Sequence, residues 1–463
     1  MTSPGENAMK EDIESEARSY CRFYPAMFVG AKGSYLIAET GDKYLDFLAG
    51  CGSLNYGHND QVMQSALQDY ISNDGIALGL DLRTRAKQEF IDTFEQLILR
   101  PRSLEYRIQF TGPTGANAVE AAIKLARKVT GRSNIIAFTN AFHGCSLGAL
   151  ALTANSYHRG ASASMLHGVH RAMYDGYLGL NCDTAELLRK QLSDPSGGID
   201  RPAAVILEIV QAEGGINVPT LHWVKEIEQI ARRHGALLIV DEIQTGCGRT
   251  GPFFAFEVFD IRPDIVLMAK SISGFGLPMS LVLIAPNIDI WGPGEHNGTF
   301  RGNNHAFVTA TAALQKYWSD KRFESEIRRK GRIARAMLSE FGAPLGYLVK
   351  GCGLMLGLDI VDKKLAAQVK AEAYKRKLIV ELCGPSDEII KLMPPLTILD
   401  EELVSGINVL LSTISTTFCP ERANRAVGRS GSGDCQFPIG GYRPVPRQSG
   451  NVYPSRSIKP DLY

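Results

Sequence analysis

An acid and an amine stand at the ends of two short apolar runs in this sequence. The run Ala236–Val240 ends in Asp241, and the run Ile265–Ala269 ends in Lys270. Short runs rich in Val, Ile and Leu are typical of strands in a buried parallel sheet, and such sheets bind ligands at the carboxyl ends of their strands. A lysine there can form a Schiff base, and a nearby carboxylate can hold a pyridinium proton. The pair therefore predicts pyridoxal 5′-phosphate (PLP) as a cofactor.

A glycine-containing turn between a strand and a helix could hold the phosphate of this cofactor. The predicted strand Arg107–Phe110 leads through Thr111–Asn117 into a helix predicted over Ala116–Thr130. Free N–H groups at a helix N-terminus, together with the helix dipole, favour an anion, and Gly115 and Ala116 are the predicted donors. An ordinary strand-to-helix turn is the alternative. Asp241 and Lys270 predict PLP, which carries a phosphate, so they favour a phosphate site over an ordinary turn.

A second glycine-rich segment, Gly246–Gly251, matches the G-x-G-x-x-G pattern of dinucleotide-binding folds. Pro252 follows it directly, which is a poor start for a helix packed on a sheet, and no separate βαβ unit with an acid about 20 residues on supports it. The pattern therefore does not indicate a nicotinamide or flavin site. These glycines are expected instead to let a loop turn closely over the cofactor crevice.

Strand and helix patterns alternate from about residue 60 to about residue 310. The strand candidates are Arg107–Phe110, Ile135–Phe138, Ala203–Val210, Ala236–Val240, Ile265–Met268 and Leu281–Ile284. Helical patterns lie between them, for example over Val224–His234. This alternation predicts an α/β fold with a mostly parallel sheet covered on both faces.

The chain divides into four predicted parts. Residues 1–60 are expected to form an N-terminal arm and part of a small domain, and residues 61–310 a large cofactor-binding domain. Residues 311–418 are predicted to form a smaller α+β domain at the C-terminal side. Residues 419–463 contain six Pro, six Gly and seven Lys or Arg against three acids. That composition cannot bury enough apolar surface to offset the entropy of ordering, so a disordered basic tail is predicted, with a docking segment as the alternative.

Composition excludes several classes of protein. A net charge of +1 over 463 residues gives no reason to expect binding to nucleic acid or to an anionic membrane. No apolar stretch approaches the roughly 20 residues that span a bilayer, and the N-terminus has no secretory pattern. The nine cysteines include no Cys-x-x-Cys, which favours reduced structural thiols in a cytoplasmic protein. The histidines show no zinc-ligand spacing, so no metal site is predicted.

The motifs also match a family signature. The segment Ile239–Gly246 reads IVDEIQTG, and Ala269-Lys270 follows it. Further matches are Phe142-His143-Gly144, Glu208–Gly215 and Gly298–Asn303. From about residue 15 to about residue 415 the chain resembles the class III aminotransferases, PLP enzymes of fold type I. The resemblance implies a large domain with a mostly parallel sheet and a smaller α+β domain.

Within that family, the chain is most similar to the diaminobutyrate–2-oxoglutarate aminotransferases of the ectoine type. The segments that carry this similarity are Leu54–Asn59, Tyr174–Tyr177, Ser273–Pro278 and Phe300–Ala306.

The resemblance implies a role for each cofactor residue. Lys270 would form the Schiff base with the cofactor and then move a proton at the substrate carbon. Asp241 would keep the pyridine nitrogen protonated. Phe142 would stack on the ring, with His143 beside it in the same cofactor-binding motif, and Gln244 would hydrogen-bond the phenolic oxygen.

The resemblance also implies a shared phosphate site. Gly115 and Ala116 would bind the phosphate of their own subunit, and Thr299 would reach the phosphate of the neighbouring one. The protein is therefore expected to be a homodimer or a higher oligomer.

Substrate recognition departs from the family pattern. Glu208 and Glu213 would line the substrate side. Where the family has an arginine that binds the substrate carboxylate, this chain has Lys391. A lysine can hold a carboxylate as a point charge but not as a bidentate fork, and Arg22 is the alternative cation.

The expected reaction moves an amino group from L-glutamate to the aldehyde carbon of L-aspartate 4-semialdehyde, giving L-2,4-diaminobutyrate and 2-oxoglutarate in two half-reactions. One alternative is transamination of another ω-amine, namely ornithine, acetylornithine or 4-aminobutyrate. A second alternative is an aminomutase on the same fold. A non-enzymatic scaffold relative is disfavoured because Lys270, Asp241 and Gln244 are all present.

Overall fold

The acid and the amine of the sequence motif lie at one edge of a seven-stranded sheet. The computed structural model describes residues 13–418. Its strands, in chain order, are β1 Phe28–Lys32, β2 Tyr35–Ala38, β3 Lys43–Asp46, β4 Arg107–Phe110, β5 Ile135–Phe138, β6 Val169–Ala172, β7 Ala204–Glu208, β8 Leu237–Asp241, β9 Ile265–Met268, β10 Leu281–Ile284, β11 Leu348–Cys352, β12 Met355–Asp359, β13 Leu378–Ile379, β14 Glu381–Cys383 and β15 Ile389–Leu392.

The α-helices surround three sheets. In chain order they are α1 Tyr20–Phe23, α2 Ala49–Gly52, α3 Gln61–Ser72, α4 Arg85–Phe94, α5 Gly115–Thr130, α6 Leu147–Leu152, α7 Ser156–Arg159, α8 Thr184–Ser193, α9 Leu221–Arg233, α10 Asn304–Tyr317, α11 Arg322–Gly342, α12 Lys363–Lys375 and α13 Asp400–Phe418. Among the helices of residues 13–418, none is both long enough and apolar enough to cross a membrane.

The large sheet has the strand order β4-β10-β9-β8-β7-β5-β6. The five neighbouring strands β9, β8, β7, β5 and β6 pair in parallel, while β10 pairs antiparallel with both β4 and β9. The bounds of β4, β5, β9 and β10 are those predicted from the apolar runs. Four-residue strands with every side chain buried, such as β5, β9 and β10, explain why these runs show no alternation of apolar and polar residues.

Two apolar layers cover the two faces of this sheet. On one face, Ala122 and Leu125 of α5 pack in the same cluster as Ile239 of β8. On the other face, Trp223 of α9 lies in the same cluster as Val240, the next residue of β8. Successive side chains of a strand point to opposite faces, so both layers are filled by the same short strands. The predicted α/β fold with a sheet covered on both sides is therefore confirmed.

The smaller part of the structure contains two four-stranded sheets, with the orders β1-β2-β3-β13 and β11-β12-β15-β14. A buried apolar cluster joins α11, α12 and α13 to these strands. The strand β13 pairs in parallel with β3, so a segment near residue 378 completes a sheet that begins at residue 28. Residues from both ends of the described chain thus build this part together.

The predicted division at residues 310 and 311 falls inside α10. This helix packs on α3 and α4, next to the large sheet, rather than on the smaller part. The first 12 residues of the predicted arm and the whole predicted tail, 419–463, lie outside the described residues.

Candidate active site

A pocket of about 340 Å³ opens at the carboxyl ends of β7, β8 and β9. Its volume lies within the range of small-molecule sites. The pocket brings together nine of the predicted site residues, namely Gly115, Ala116, Phe142, His143, Glu208, Glu213, Asp241, Gln244 and Lys270. The motifs that lie far apart in the sequence therefore converge on one cavity, at the edge of the sheet that the apolar runs predicted.

Asp241 is fixed in this pocket by two donors. Its Oδ1 accepts a hydrogen bond from the backbone N–H of Ile243, at 3.0 Å. Its Oδ2 lies 2.7 Å from Nδ1 of His143, whose ring N–H donates to the carboxylate. Both side chains are buried, and the Nε2 atom of His143 has no hydrogen-bond partner among residues 13–418. The two contacts thus hold the Asp241 side chain in one orientation in the lining of the pocket.

Lys270 follows β9 in an uncommon backbone conformation. Its φ is +54°, in the left-handed region that non-glycine residues rarely adopt. Residues held in this region cluster at functional sites because the surrounding structure must impose the strain. The ammonium group Nζ donates to the backbone carbonyl of Cys51, at 2.9 Å. Gln244 donates to the same carbonyl through Nε2, at 3.0 Å, so one carbonyl positions both side chains.

The turn before α5 has the geometry of an anion site. Thr114 caps the helix: its side chain accepts from the N–H of Asn117, and the side chain of Asn117 accepts from the N–H of Thr114. The N–H groups of Gly115 and Ala116 come before the first backbone hydrogen bond of the helix, which Asn117 donates to Thr114. A Cβ on Gly115 would lie 2.9 Å from Cδ1 and 3.0 Å from Cγ2 of Ile243, so a larger residue here would require the Ile243 side chain to shift. Unpaired N–H groups at the start of a 16-residue helix favour a phosphate.

These features together fit PLP. The pocket contains the amine of Lys270, the buried carboxyl of Asp241 and a helix N-terminus at Gly115, all in the lining of one cavity. An aldehyde, a ring nitrogen and a phosphate are the three groups of the cofactor that need such partners. Phe142 and Gln244 line the same cavity and would contact the ring.

Glu208 lies at the end of β7, beside Asp241 in the register of the sheet. Its Oε2 accepts from the backbone N–H of Phe142, at 3.0 Å. Burial first, and then the charge of Asp241, raise the pKa of the Glu208 carboxyl well above its ordinary value. The neutral form of this side chain is therefore favoured, which suits a residue that orients the segment of Phe142 rather than one that binds a cation.

Glu213 and Lys391 form an ion pair at the substrate side. Nζ of Lys391 lies 2.7 Å from Oε1 of Glu213 and 2.9 Å from Oε2 of Glu381. Burial alone would lower the pKa of the Lys391 ammonium, but the two carboxylates outweigh burial and raise it well above its ordinary value. Burial would raise the pKa of Glu213, yet Lys391 and Lys270 lower it to about 2. Lys391 is therefore a charged partner of two acids.

Three predicted site residues do not line this pocket, namely Lys391, which is buried against Glu213, Arg22 and Thr299. Arg22 contacts the side chain of Glu16 and the backbone carbonyls of Glu16 and Arg18, and its side chain is 46% exposed. Arg22 is therefore not among the pocket residues, although Tyr20 of the same short helix reaches Glu381, and its role as a substrate cation stays a prediction. Thr299 is exposed and does not line the pocket of its own chain. Its assignment to a neighbouring subunit stays a prediction.

The interpretation of Gly246–Gly251 as a loop over the crevice is wrong. A Cβ on Gly248 would lie 2.8 Å from the ring of Trp318, and one on Gly251 would lie 3.4 Å from Arg328. None of the three glycines of the motif lines the pocket. Gly248 allows a close approach to Trp318 and to Ile327 of α11, and Gly251 has a φ of +119° that favours glycine, so these two glycines serve packing and turn geometry.

Sequence reasoning missed three residues near the site. Tyr20 Oη donates to Oε1 of Glu381, at 2.6 Å, and lies at the same distance from Sγ of Cys51. Cys51 belongs to α2, where Ala49, Gly50, Cys51 and Gly52 all have positive φ. The pair of glycines around Cys51 was the available signal for this left-handed turn.

A fold with a parallel sheet, a helix N-terminus for a phosphate and a strand-end acid and lysine defines a PLP-dependent enzyme of fold type I. Residues 17–414 match the family described as Aminotransferase class-III. The chain belongs to the class III aminotransferases, and it is an aminotransferase that uses PLP. The predictions of family, fold class and cofactor are confirmed.

Close relatives and solved structures agree with this assignment. The chain is 50% identical over 414 residues to the diaminobutyrate–2-oxoglutarate transaminase of Bordetella parapertussis, covering 89% of this chain and 95% of that protein. It is 51% identical over 401 residues to the transaminase of the same name from Vibrio cholerae, with coverage of 86% and 97%. The ornithine aminotransferase of Toxoplasma gondii, described with partial occupancy of PLP at its active site, is 26% identical with a TM-score of 0.75. That similarity covers 86% of this chain and 91% of the solved one.

Proposed function

We propose that this aminotransferase moves the amino group of L-glutamate to the aldehyde carbon of L-aspartate 4-semialdehyde, giving L-2,4-diaminobutyrate and 2-oxoglutarate. The observation that carries the proposal is the similarity to two relatives named diaminobutyrate–2-oxoglutarate transaminase, at 50% and 51% identity over most of both chains. Both substrates are small and fit the class of cavity found at the sheet edge.

Each pocket residue has a task in this proposal. The bound cofactor supplies an aldehyde for attachment and a ring that accepts electrons from the substrate carbon. Lys270 holds the cofactor covalently and, when released, moves the proton at the substrate carbon as a neutral amine. Asp241 keeps a proton on the ring nitrogen, and His143 holds the Asp241 carboxylate in place through their 2.7 Å contact. Gly115 and Ala116 donate to the phosphate.

The proposal includes a homodimer. Thr299 lies on an exposed segment with Phe300, whose side chain is 66% exposed. This segment would contact the partner, and Thr299 would reach the phosphate of the partner's site. Mass photometry at the dilution of the activity assay provides the test, because a fully active monomer would contradict a shared site.

A cytoplasmic location belongs to the same proposal. The seven cysteines within residues 13–418 are free thiols, which supports it.

An acceptor assay tests the reaction. Purified holoenzyme is supplied with L-glutamate and L-aspartate 4-semialdehyde, and the products are separated by chromatography. We expect equal amounts of 2,4-diaminobutyrate and 2-oxoglutarate. A product formed without 2-oxoglutarate would indicate an aminomutase, and turnover only with ornithine, acetylornithine or 4-aminobutyrate as the amine would replace the proposed substrate.

A further inference from the structure

Glu213 is the member of the buried charge cluster that a ligand can reach. Its Oε1 accepts from Nζ of Lys391, at 2.7 Å, and from Nε2 of Gln244, at 3.1 Å. Its side chain is 31% exposed and lines the pocket, whereas the side chain of Lys391 is fully buried. Within residues 13–418, both of these hydrogen bonds end on Oε1, so Oε2 is the oxygen that remains for a substrate.

Glu381 is the second partner of Lys391, and the sheet holds it in place. The two residues are register partners on β14 and β15, with Oε2 of Glu381 at 2.9 Å from Nζ of Lys391. Tyr20 adds a hydrogen bond to Oε1 of Glu381, at 2.6 Å. A buried residue in a strand pair, with two polar contacts, moves less than a loop residue that is partly exposed. Glu381 is therefore the permanent partner of Lys391, and Glu213 is the exchangeable one.

The charges of this cluster do not cancel. Glu213, Glu381 and Lys391 contribute two carboxylates and one ammonium, and Lys270, the other lysine whose charge lowers the pKa of Glu213, is the residue expected to be bonded to the cofactor. Because Glu381 neutralises Lys391 from the buried side, the excess negative charge faces the pocket at Glu213. At a partly buried carboxylate, such a charge attracts a cationic group more strongly than in bulk water.

We propose that Glu213 binds the ammonium group that the substrate carries at its non-reacting end, and that Glu381 is a positioning residue that keeps the charge of Glu213 uncompensated. The inference rests on the proposed function, since 2,4-diaminobutyrate and aspartate 4-semialdehyde both carry such a group. 4-Aminobutyrate has the same carbon chain and the same reacting amine but lacks it. The site therefore selects ω-amines that are also α-amino acids.

The test compares these two donors on the same holoenzyme. The rate of the first half-reaction is followed by the absorbance of the bound cofactor, with 2,4-diaminobutyrate and with 4-aminobutyrate, and L-glutamate serves as a reference. We expect the wild type to prefer 2,4-diaminobutyrate. Glu213→Gln should lower that preference about ten- to hundredfold, the range for one charge-assisted hydrogen bond. A role in packing alone would slow both donors equally and would overturn the inference.

Two further variants separate charge from structure. Glu381→Gln removes a carboxylate that does not line the pocket and leaves Lys391 to neutralise Glu213. It should lower the preference for 2,4-diaminobutyrate over 4-aminobutyrate by about threefold or more. That change is smaller than the effect of Glu213→Gln, which removes the carboxylate that contacts the substrate. Glu388→Gln is the matched control, because Glu388 lies in the same part of the chain and has no contact with Lys391. The preference of Glu388→Gln for 2,4-diaminobutyrate over 4-aminobutyrate should equal that of the wild type. A loss as large in Glu388→Gln as in Glu381→Gln would overturn the role of the cluster.

These experiments also distinguish a failure of the role of Glu213 from a failure of the proposed substrate. A wild type that converts 4-aminobutyrate as fast as 2,4-diaminobutyrate overturns the inference even if aspartate 4-semialdehyde is an acceptor. A wild type that prefers ornithine over 5-aminopentanoate, and loses that preference in Glu213→Gln, supports the inference while removing the proposed substrate.

Discussion

Glu208 and Asp241 are register partners at the carboxyl ends of β7 and β8, but their surroundings differ. Asp241 has His143 as a close partner, whereas Glu208 accepts from a backbone N–H and has a raised pKa caused by burial and by Asp241. Burial and the charge of Asp241 thus favour the neutral form of Glu208, whereas Asp241 is the carboxyl that His143 holds in place and the better placed to face a ring nitrogen.

Glu208→Gln should therefore change little. An amide has nearly the same shape as a neutral carboxyl and can still accept from the N–H of Phe142, so kcat/KM should stay within about threefold of the wild type, or less than about 1 kcal/mol. Glu208→Ala is the matched variant, because it removes the acceptor and should lower activity further. Steady-state kinetics of both variants measure these effects on kcat/KM. A hundredfold loss of kcat/KM in Glu208→Gln would show that the ionised form of Glu208 is needed.

Asp241→Asn should keep the fold but lower the rate by on the order of 10² or more, because an amide cannot stabilise a protonated ring nitrogen. Single-turnover kinetics with L-glutamate would measure this. Circular dichroism should show an unchanged fold. A rate within about tenfold of the wild type, a barrier change below about 1.4 kcal/mol, would contradict the assigned role.

Lys270→Ala should abolish turnover while the cofactor can still bind without a covalent bond. Borohydride reduction of the wild type followed by peptide mapping should place the pyridoxyl group on Lys270. Lys350→Ala serves as the control, because Lys350 is another partly buried lysine and its Nζ donates to Asn217. Labelling of any lysine other than Lys270 would contradict the assignment.

Lys391→Met should destabilise the protein by about 3–5 kcal/mol, since it leaves two carboxylates without their shared cation. The free energy of unfolding in urea, at fixed protein and cofactor concentrations, gives the measurement. Adding Glu381→Gln should recover part of the loss, because only one buried charge then remains unpaired. The glutamate half-reaction of Lys391→Met should also weaken, by about 1–3 kcal/mol. Unchanged stability would show that the cluster does not hold the fold together.

Glu242 predicts a pH dependence of stability that is separate from catalysis. Burial raises the pKa of its carboxyl to about 7, although hydrogen bonds from Thr245 and from the N–H of Phe256 oppose the shift. Between the ordinary value of 4.5 and about 7, the unfolded chain loses this proton while the folded one keeps it. Stability should therefore fall over that range, by about 3 kcal/mol from this residue.

The matched variant for this prediction is Glu242→Gln, which cannot titrate. The difference in unfolding free energy between wild type and variant, measured from pH 4 to pH 8, isolates the contribution of Glu242. A difference that stays constant with pH would contradict the raised pKa.

The apolar runs predicted much of the large sheet because its strands are buried on both faces. Four of the six predicted strands have the bounds of the structure, and the other two, β7 and β8, differ by one or two residues at their ends. The strand β6 was missed because its sequence Val-His-Arg-Ala has a single large apolar residue, whereas the other edge strand, β4, alternates two polar residues with Ile108 and Phe110. Edge strands carry weaker apolar signals than central ones.

The charge cluster could not be predicted in full because its members are distant in sequence. Lys391 was predicted from a family position, but Glu381 contacts it through strand pairing, and Tyr20 reaches Glu381 across 361 positions. No local spacing records such contacts. Arg22 was named as a possible cation because of its charge alone, and its segment directs it toward Glu16 instead.

The parallel pairing of β13 with β3 has a consequence for biosynthesis. Leu45 donates a backbone hydrogen bond to Lys377, and Phe47 donates one to Ile379. A ribosome makes the first three strands of this sheet more than 330 residues before it makes the fourth. The edge of β3 therefore stays unpaired while the large sheet is synthesised. An unpaired strand edge is prone to association with other chains. Chaperone dependence and misassembly during expression are expected to map to this edge.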